Sequence, residues 1–168
     1  METLEQRVQR VIRRILVPID FSTDSLNALA SACDLAKRVG AELLLLHVVE
    51  IIYVADPYVA AGADIGGFLD EQRRMAKQQL ARIAADLKKK GRRIGIMVEG
   101  GVPSQVIVDT AKRKGMDLIV MGTHGRTGIA HMLIGSVAEK VVRTASCPVL
   151  TVRGTASKRT ATRSRAQG

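Results

Sequence analysis

Apolar positions change period several times along this chain, from runs to helical stripes and back. Residues 13–20 (RRILVPID) form a short β-branched run ending in Pro-x-Asp, which predicts a first strand. The period then turns helical, with Leu26, Leu29, Ala30, Cys33, Ala36 and Val39 recurring at three- and four-residue spacing. Ser22, Thr23 and Asp24 offer caps for that helix, and Gly40 offers its stop. Residues 41–50 (AELLLLHVVE) are apolar almost without interruption, as in a strand covered on both faces. A stripe of Leu69, Ala76, Leu80, Ile83, Ala84 and Leu87 predicts a second helix over about 68–90.

Residues 92–100 predict a third strand, and 103–115 a helix with Pro103 in its first turn and Gly115 just past its end. Residues 116–122 (MDLIVMG) predict a fourth strand, about 135–144 a helix, and 147–152 (CPVLTV) a fifth strand. Strands alternating with helices imply an α/β fold, a parallel sheet with helices on both faces. The connection 51–67, with Pro57 and three glycines, predicts no firm element. The chain divides into an extension (1–11), one domain (12–153) and a basic tail (154–168) expected to be disordered. A stripe of Leu4, Val8, Val11, Ile12 and Ile15 suits a short amphipathic helix on the body or a partner.

Composition narrows the functional classes. At 168 residues the chain can bury a core without staples, and an aromatic content of 2 % makes that core aliphatic. So few aromatics disfavour single-stranded nucleic-acid binding by base stacking. The net charge is +10, but the tail carries four cations and no acid, and residues 1–14 carry four arginines against two glutamates. The ends thus hold +4 and +2, and the charge says little about the centre. The tail reads as a solubilising end rather than a nucleic-acid arm. Cys33 and Cys147 belong to no CxxC pair and are expected as free, buried thiols. No membrane span or signal-peptide core is evident, so a cytoplasmic location is expected.

In an open parallel sheet, ligands bind beyond the carboxyl ends of the strands where strand order reverses. Two polar features fall at such ends: Pro18-Ile19-Asp20 after strand 1, and Gly122-Thr123-His124-Gly125 after strand 4. Gly122 and Gly125 would let backbone N–H groups approach an anion, with Arg126 adding charge. Gly135 and Ser136 open the next helix, whose N–H groups and positive dipole end form a phosphate seat. Each has a plainer reading: Asp20 or Ser136 as a helix cap, Arg126 as a solvated loop residue, and His47 as a structural strand residue. The P-loop pattern G-x4-G-K-S/T is absent, as is a G-x-G-x-x-G after strand 1. His124 and His131 have no carboxylate or thiol at metal spacing, so no metal site is expected. Ser136 is in no G-x-S-x-G elbow.

Gly122, Gly125, Gly135 and Ser136 together spell G-x2-G-x9-G-S/T, and with this the chain resembles the universal stress protein family, in its ATP-binding branch. The resemblance runs over roughly 12–153, through ILVPID, LLLLHVVE, DLIVMGTHGRTG, LIGSVAEKVV and CPVLTV. It implies a single Rossmann-like domain of the adenine-nucleotide α-hydrolase-like type, a five-stranded parallel sheet of order 3-2-1-4-5. It further implies ATP held between strands 1 and 4, with Mg²⁺ on the phosphates. Asp20 would face the ribose and adenine side, and the Val48 backbone would read the adenine edge. Gly122, Thr123 and Gly125 would line the ribose and phosphates, while Gly135, Ser136 and Val137 would hold the outer phosphates. The resemblance implies a homodimer through Val149 to Val152. The related ATP pyrophosphatases carry SGGxDS after strand 1, where this chain has DFSTDS, so that chemistry is not expected. The expected function is a nucleotide-dependent stress regulator without catalysis, beyond slow incidental hydrolysis. Two alternatives remain: a dimerisation module without nucleotide, and a nucleic-acid-associated protein using the tail.

Overall fold

The computed structural model describes residues 12–50, 65–124 and 134–153. In chain order these form β1 (Arg14–Pro18), α1 (Thr23–Val39), β2 (Glu42–Glu50), α2 (Ile65–Lys89) and β3 (Ile94–Gly101). They continue with α3 (Pro103–Arg113), β4 (Leu118–Gly122), α4 (Ser136–Thr144) and β5 (Val149–Val152). The five strands form one parallel sheet of order β3-β2-β1-β4-β5, the Rossmann-like arrangement expected.

Side chains of successive strand residues point to opposite faces, and the sheet buries both. Ile15 and Val17 of β1 turn to one face, where they pack with Ala28, Ala32 and Cys33 of α1 and Leu80 of α2. Leu16 turns to the other, with Ile107 and Ala111 of α3 and Ala138 and Val141 of α4. Cys33 belongs to the first layer and Cys147 packs against the second, so the two free thiols lie on opposite faces of the sheet.

Local chemistry sets the element ends. The Ser22 side chain accepts a hydrogen bond from Ser25 N at 3.2 Å, capping α1. Gly40 ends that helix at φ 72°, a left-handed conformation that glycine adopts without penalty. Asp117, inside the predicted fourth strand, instead precedes β4: its carboxylate accepts from Arg13 N and Arg14 N and ties the start of β1 to β4. The helix α2 begins at Ile65, before the predicted start, and so includes Gly66 and Gly67 despite their poor helix propensity. The extension, the tail, the loop 125–133 and most of the connection 51–67 lie outside the described residues. So do Leu4, Val8 and Val11 of the stripe expected as an N-terminal helix, while Ile15 of that stripe stands in β1 and Ile12 precedes the strand.

Candidate functional site

The sheet opens where the sequence predicts a crevice. β1 pairs with β4 only through Ile15↔Leu118 and Leu16↔Ile119. Beyond Leu16, β1 keeps its ladder with β2 as far as Pro18↔Leu46, while β4 keeps its ladder with β5 as far as Gly122↔Val152. The carboxyl ends of the two central strands therefore part, at the point where strand order reverses. A cleft of about 400 Å³ occupies the gap. It brings together Pro18, Asp20, Val48, Gly122, Thr123, Gly135, Ser136 and Val137. Gly125 and Arg126, the other two residues singled out from the sequence, lie outside the described residues.

One wall is the turn after β1. Ser22 donates to Asp20 Oδ1 through both its backbone N–H, at 3.0 Å, and its hydroxyl, at 2.5 Å. The first is an Asx turn, and Ser22 in turn caps α1, so Asp20 organises the helix entry while lining the cleft. A carboxylate has about four acceptor sites, so a structural and a ligand role are compatible in it. Between these residues Phe21 is left-handed, at φ 66°. That conformation costs a bulky residue on the order of 1 kcal/mol. Its ring stacks on His47, with centroids 4.8 Å apart and planes inclined by 29°.

His47 fixes the strand end as well. Its Nδ1 lies 2.7 Å from the Ile19 carbonyl oxygen; a carbonyl only accepts, so Nδ1 carries the proton. The buried His47 thus takes the carbonyl that would otherwise form the next rung with β2, while it also lines the cleft. The consequence falls on Val48. Ile19 N donates to Leu46 O, so Leu46 turns its backbone groups toward β1. By the two-residue alternation of a strand, Val48 turns its N–H and C=O to the same side, past the end of β1 and toward the cleft.

The opposite wall is built from β4 and the start of α4. A Cβ on Gly122 would sit 2.9 Å from both the backbone carbonyl carbon and the Cβ of Asp24, so this glycine lets α1 pack against β4. Thr123 is buried, donating its N–H to Val152 O at 3.0 Å and accepting from Gly135 N at 2.7 Å. The Gly135 N–H is therefore engaged in closing the loop, and a Cβ there would lie 3.1 Å from Thr123 O. Gly135, not Ser136, is the N-cap of α4, in extended conformation and without a side-chain capping bond. The first bond of the helix is Glu139 N to Gly135 O, so the Ser136, Val137 and Ala138 N–H groups precede the helix ladder at the cleft. His124 lies beside them, its Nδ1 at 3.0 Å from Thr123 Oγ1 and 3.4 Å from Asp24 Oδ2.

Part of the lining was missed by sequence reasoning. Phe68, Leu69 and Gln72 of α2 reach the cleft, and Phe68 keeps 62 % of its surface exposed. Leu69 falls in the predicted stripe of α2, whose buried positions start instead at Ala76. The available signal was Phe68 itself, an aromatic in an aromatic-poor chain, two turns ahead of the core face of its helix. Asp20 and Glu50 are acidic, and no Lys or Arg lines the cleft among the described residues. Nor do those residues include a group of three or more His, Cys, Asp or Glu placed for a metal ion. No helix among them is long and apolar enough to cross a membrane.

Comparison with known proteins gives a consistent result. Residues 12–153 match the sequence profile described as the Universal stress protein family. A universal stress protein of Methanocaldococcus jannaschii is 36 % identical over 150 residues, covering 86 % of this chain and 84 % of the relative. Universal stress protein YxiE of Bacillus subtilis is 36 % identical over 148 residues, covering 85 % of this chain and all of the relative. Among solved structures, universal stress protein UspA from Lactobacillus plantarum superposes with a TM-score of 0.76 at 28 % identity, over 84 % of this chain and 98 % of that one. A universal stress protein solved in complex with cAMP superposes with a TM-score of 0.58 at 25 % identity, over 86 % of this chain and 99 % of that one. With this sheet order, this cleft and these relatives, the chain belongs to the universal stress protein family.

Proposed function

We propose that the chain binds an adenine nucleotide in the cleft between β1 and β4, as a member of the ATP-binding branch, and acts as a homodimeric, nucleotide-dependent regulator in stress response. The observation that carries this reading is the uncapped N-terminus of α4, which faces the same cleft as the Val48 backbone edge. The two features suit the two ends of a nucleotide: unpaired N–H groups and a positive dipole end for phosphate, and a donor–acceptor pair for a base edge. The cAMP complex of a family member supports the ligand class. In this reading Asp20 faces the ribose, Gly122, Thr123 and Gly125 line the ribose and inner phosphates, and Ser136 and Val137 hold the outer ones.

The charge of the cleft sets a condition. Asp20 and Glu50 repel a triphosphate, and the described lining supplies no cation against it. ATP therefore binds with Mg²⁺, which the phosphates and water hold, and Arg126 is the cation of this chain nearest in sequence to the seat. No catalytic role is assigned to any residue, and hydrolysis is expected to be slow or absent.

The edge strand β5 supports a dimer. Among the described residues β5 pairs with β4 alone, and Ile119 N and Thr123 N bond to Pro148 O and Val152 O on that side. Alternation turns the Val149 and Thr151 backbone groups outward, where a second copy can pair with them. Leu150 is 43 % exposed on this strand.

The test is a calorimetric panel of ATP, ADP, AMP and cAMP, each with and without Mg²⁺, beside native mass spectrometry of freshly purified protein. Mg²⁺-dependent binding of ATP supports the proposal. Binding of cAMP alone moves the ligand to a cyclic mononucleotide, whose single charge needs less compensation. No binding and no co-purifying nucleotide would leave a dimerisation module without nucleotide.

A further inference from the structure

A second cleft, of about 500 Å³, lies at the opposite end of the sheet. It is bounded by the end of α1 and the turn from α2 into β3, with Leu43 at the start of β2 in its lining. Val48, at the upper cleft, is five residues further along β2, about 17 Å of parallel strand. The two clefts are thus separate, and their charges are opposite. The lower one is lined by Lys37, Lys90, Arg92 and Arg93, with no carboxylate. We propose that this basic cleft is a second ligand site, for a small phosphate-bearing polyanion such as a short polyphosphate or a phosphate ester.

Three observations support it. The Arg92 Nε is buried from solvent yet has no hydrogen-bond partner among the described residues. Leaving such a group unmet is costly, and turning the Arg92 guanidinium toward an anion in the cleft would supply the missing acceptor. Gly40 at φ 72° and Gly91 at φ 73° both line the cleft, and a Cβ on either would meet nothing within 4 Å, so the space beside each is open. Arg92 and Lys90 also act on the buried Cys33 thiol; burial is the main influence and raises its pKa, Arg92 and Lys90 lower it, and the Asp34 carboxylate raises it. Their positive charge therefore reaches Cys33, in the same helix as Ala36 and Lys37 of the lining.

The plainer account is that these cations only serve the helix ends. Lys37 lies in the last turn of α1, and Arg93 Nη2 donates to Gly40 O at 2.5 Å. The C-termini of α1 and α2 each contribute about half a negative charge, which together offset about one of the four cations. Lys37, Lys90 and Arg92 remain, around a concave space within the usual size range of small-ligand pockets. Concavity favours a compact anion over a nucleic-acid backbone, as does a chain of 2 % aromatics.

The experiment is an amide NMR titration of the full chain with inorganic tripolyphosphate, and separately with Mg·ATP and a short single-stranded oligonucleotide. Tripolyphosphate is expected to shift the Gly40, Gly91 and Arg92 amides. A Lys90→Gln/Arg92→Gln variant is expected to lose about ten-fold in affinity, as charge-assisted bonds are removed. Lys37→Gln, at an exposed helix position, tests the same loss without touching the half-buried Arg92. Shifts confined to Ser136 and Val137, or to residues 154–168, would overturn the site. So would an affinity unchanged in both variants. Tighter binding of the oligonucleotide at the same amides would overturn the ligand class. Mg·ATP shifting Ser136 and Val137 while tripolyphosphate shifts Gly40 and Gly91 would support two separate sites.

Discussion

A side chain on Gly122 would begin 2.9 Å from backbone and side-chain carbon of Asp24, closer than real Cβ contacts come. Because part of that obstacle is backbone in the first turn of α1, it cannot rotate away. We expect Gly122→Ala to lower the unfolding free energy by about 1–3 kcal/mol, read from urea unfolding with an unchanged slope. A Gly122→Ala protein as stable as the parent would show that α1 has room to shift. At Gly135 the nearest atom is Thr123 O at 3.1 Å, so a substitution there strains the loop closure less severely. Nucleotide losses in variants of either glycine therefore mix folding with binding. Glycine spacing was legible in the sequence, but the reason for Gly122 was not, since Asp24 lies nearly a hundred residues away in the chain.

At the scale of elements, α4 separates folding from binding where the glycines do not. This nine-residue helix docks through Ala138 and Val141 and begins without a side-chain cap. An acid in the first turn favours a helix by about 0.3–1 kcal/mol through the dipole. The same charge would stand where the proposed phosphates sit. Ser136→Asp is therefore expected to keep or raise the thermal midpoint while weakening Mg·ATP at least about ten-fold. Unchanged affinity in a folded Ser136→Asp protein would remove α4 from the site. The start of α4 was legible from Gly135 and Ser136, but which residue caps it depended on the Gly135 N to Thr123 O bond. Likewise the period of α2 was legible over its buried part, whereas Phe68 and Leu69 took their place at the cleft only when α2 lay across β2 and β3.

For the whole molecule, the proposed dimer rests on the outer edge of β5. Leu150→Lys puts a charge on that edge, a substitution that blocks strand-to-strand pairing in sheets. Since Leu150 is 43 % exposed in the single chain, the fold should tolerate it. We expect sedimentation to show a monomer with native circular dichroism; a dimer that survives would put the interface elsewhere. The alternation of apolar runs and stripes by itself determined the element order, the parallel sheet and the two strand ends that carry polar residues, because periodicity is a local property of the chain. Only the tertiary structure decided that β1 and β4 part after Leu16, that His47 takes the Ile19 carbonyl, and that Lys37 meets Arg92 across a second cleft. Each of these joins residues that are distant in the chain, and such contacts leave no periodic trace in one sequence.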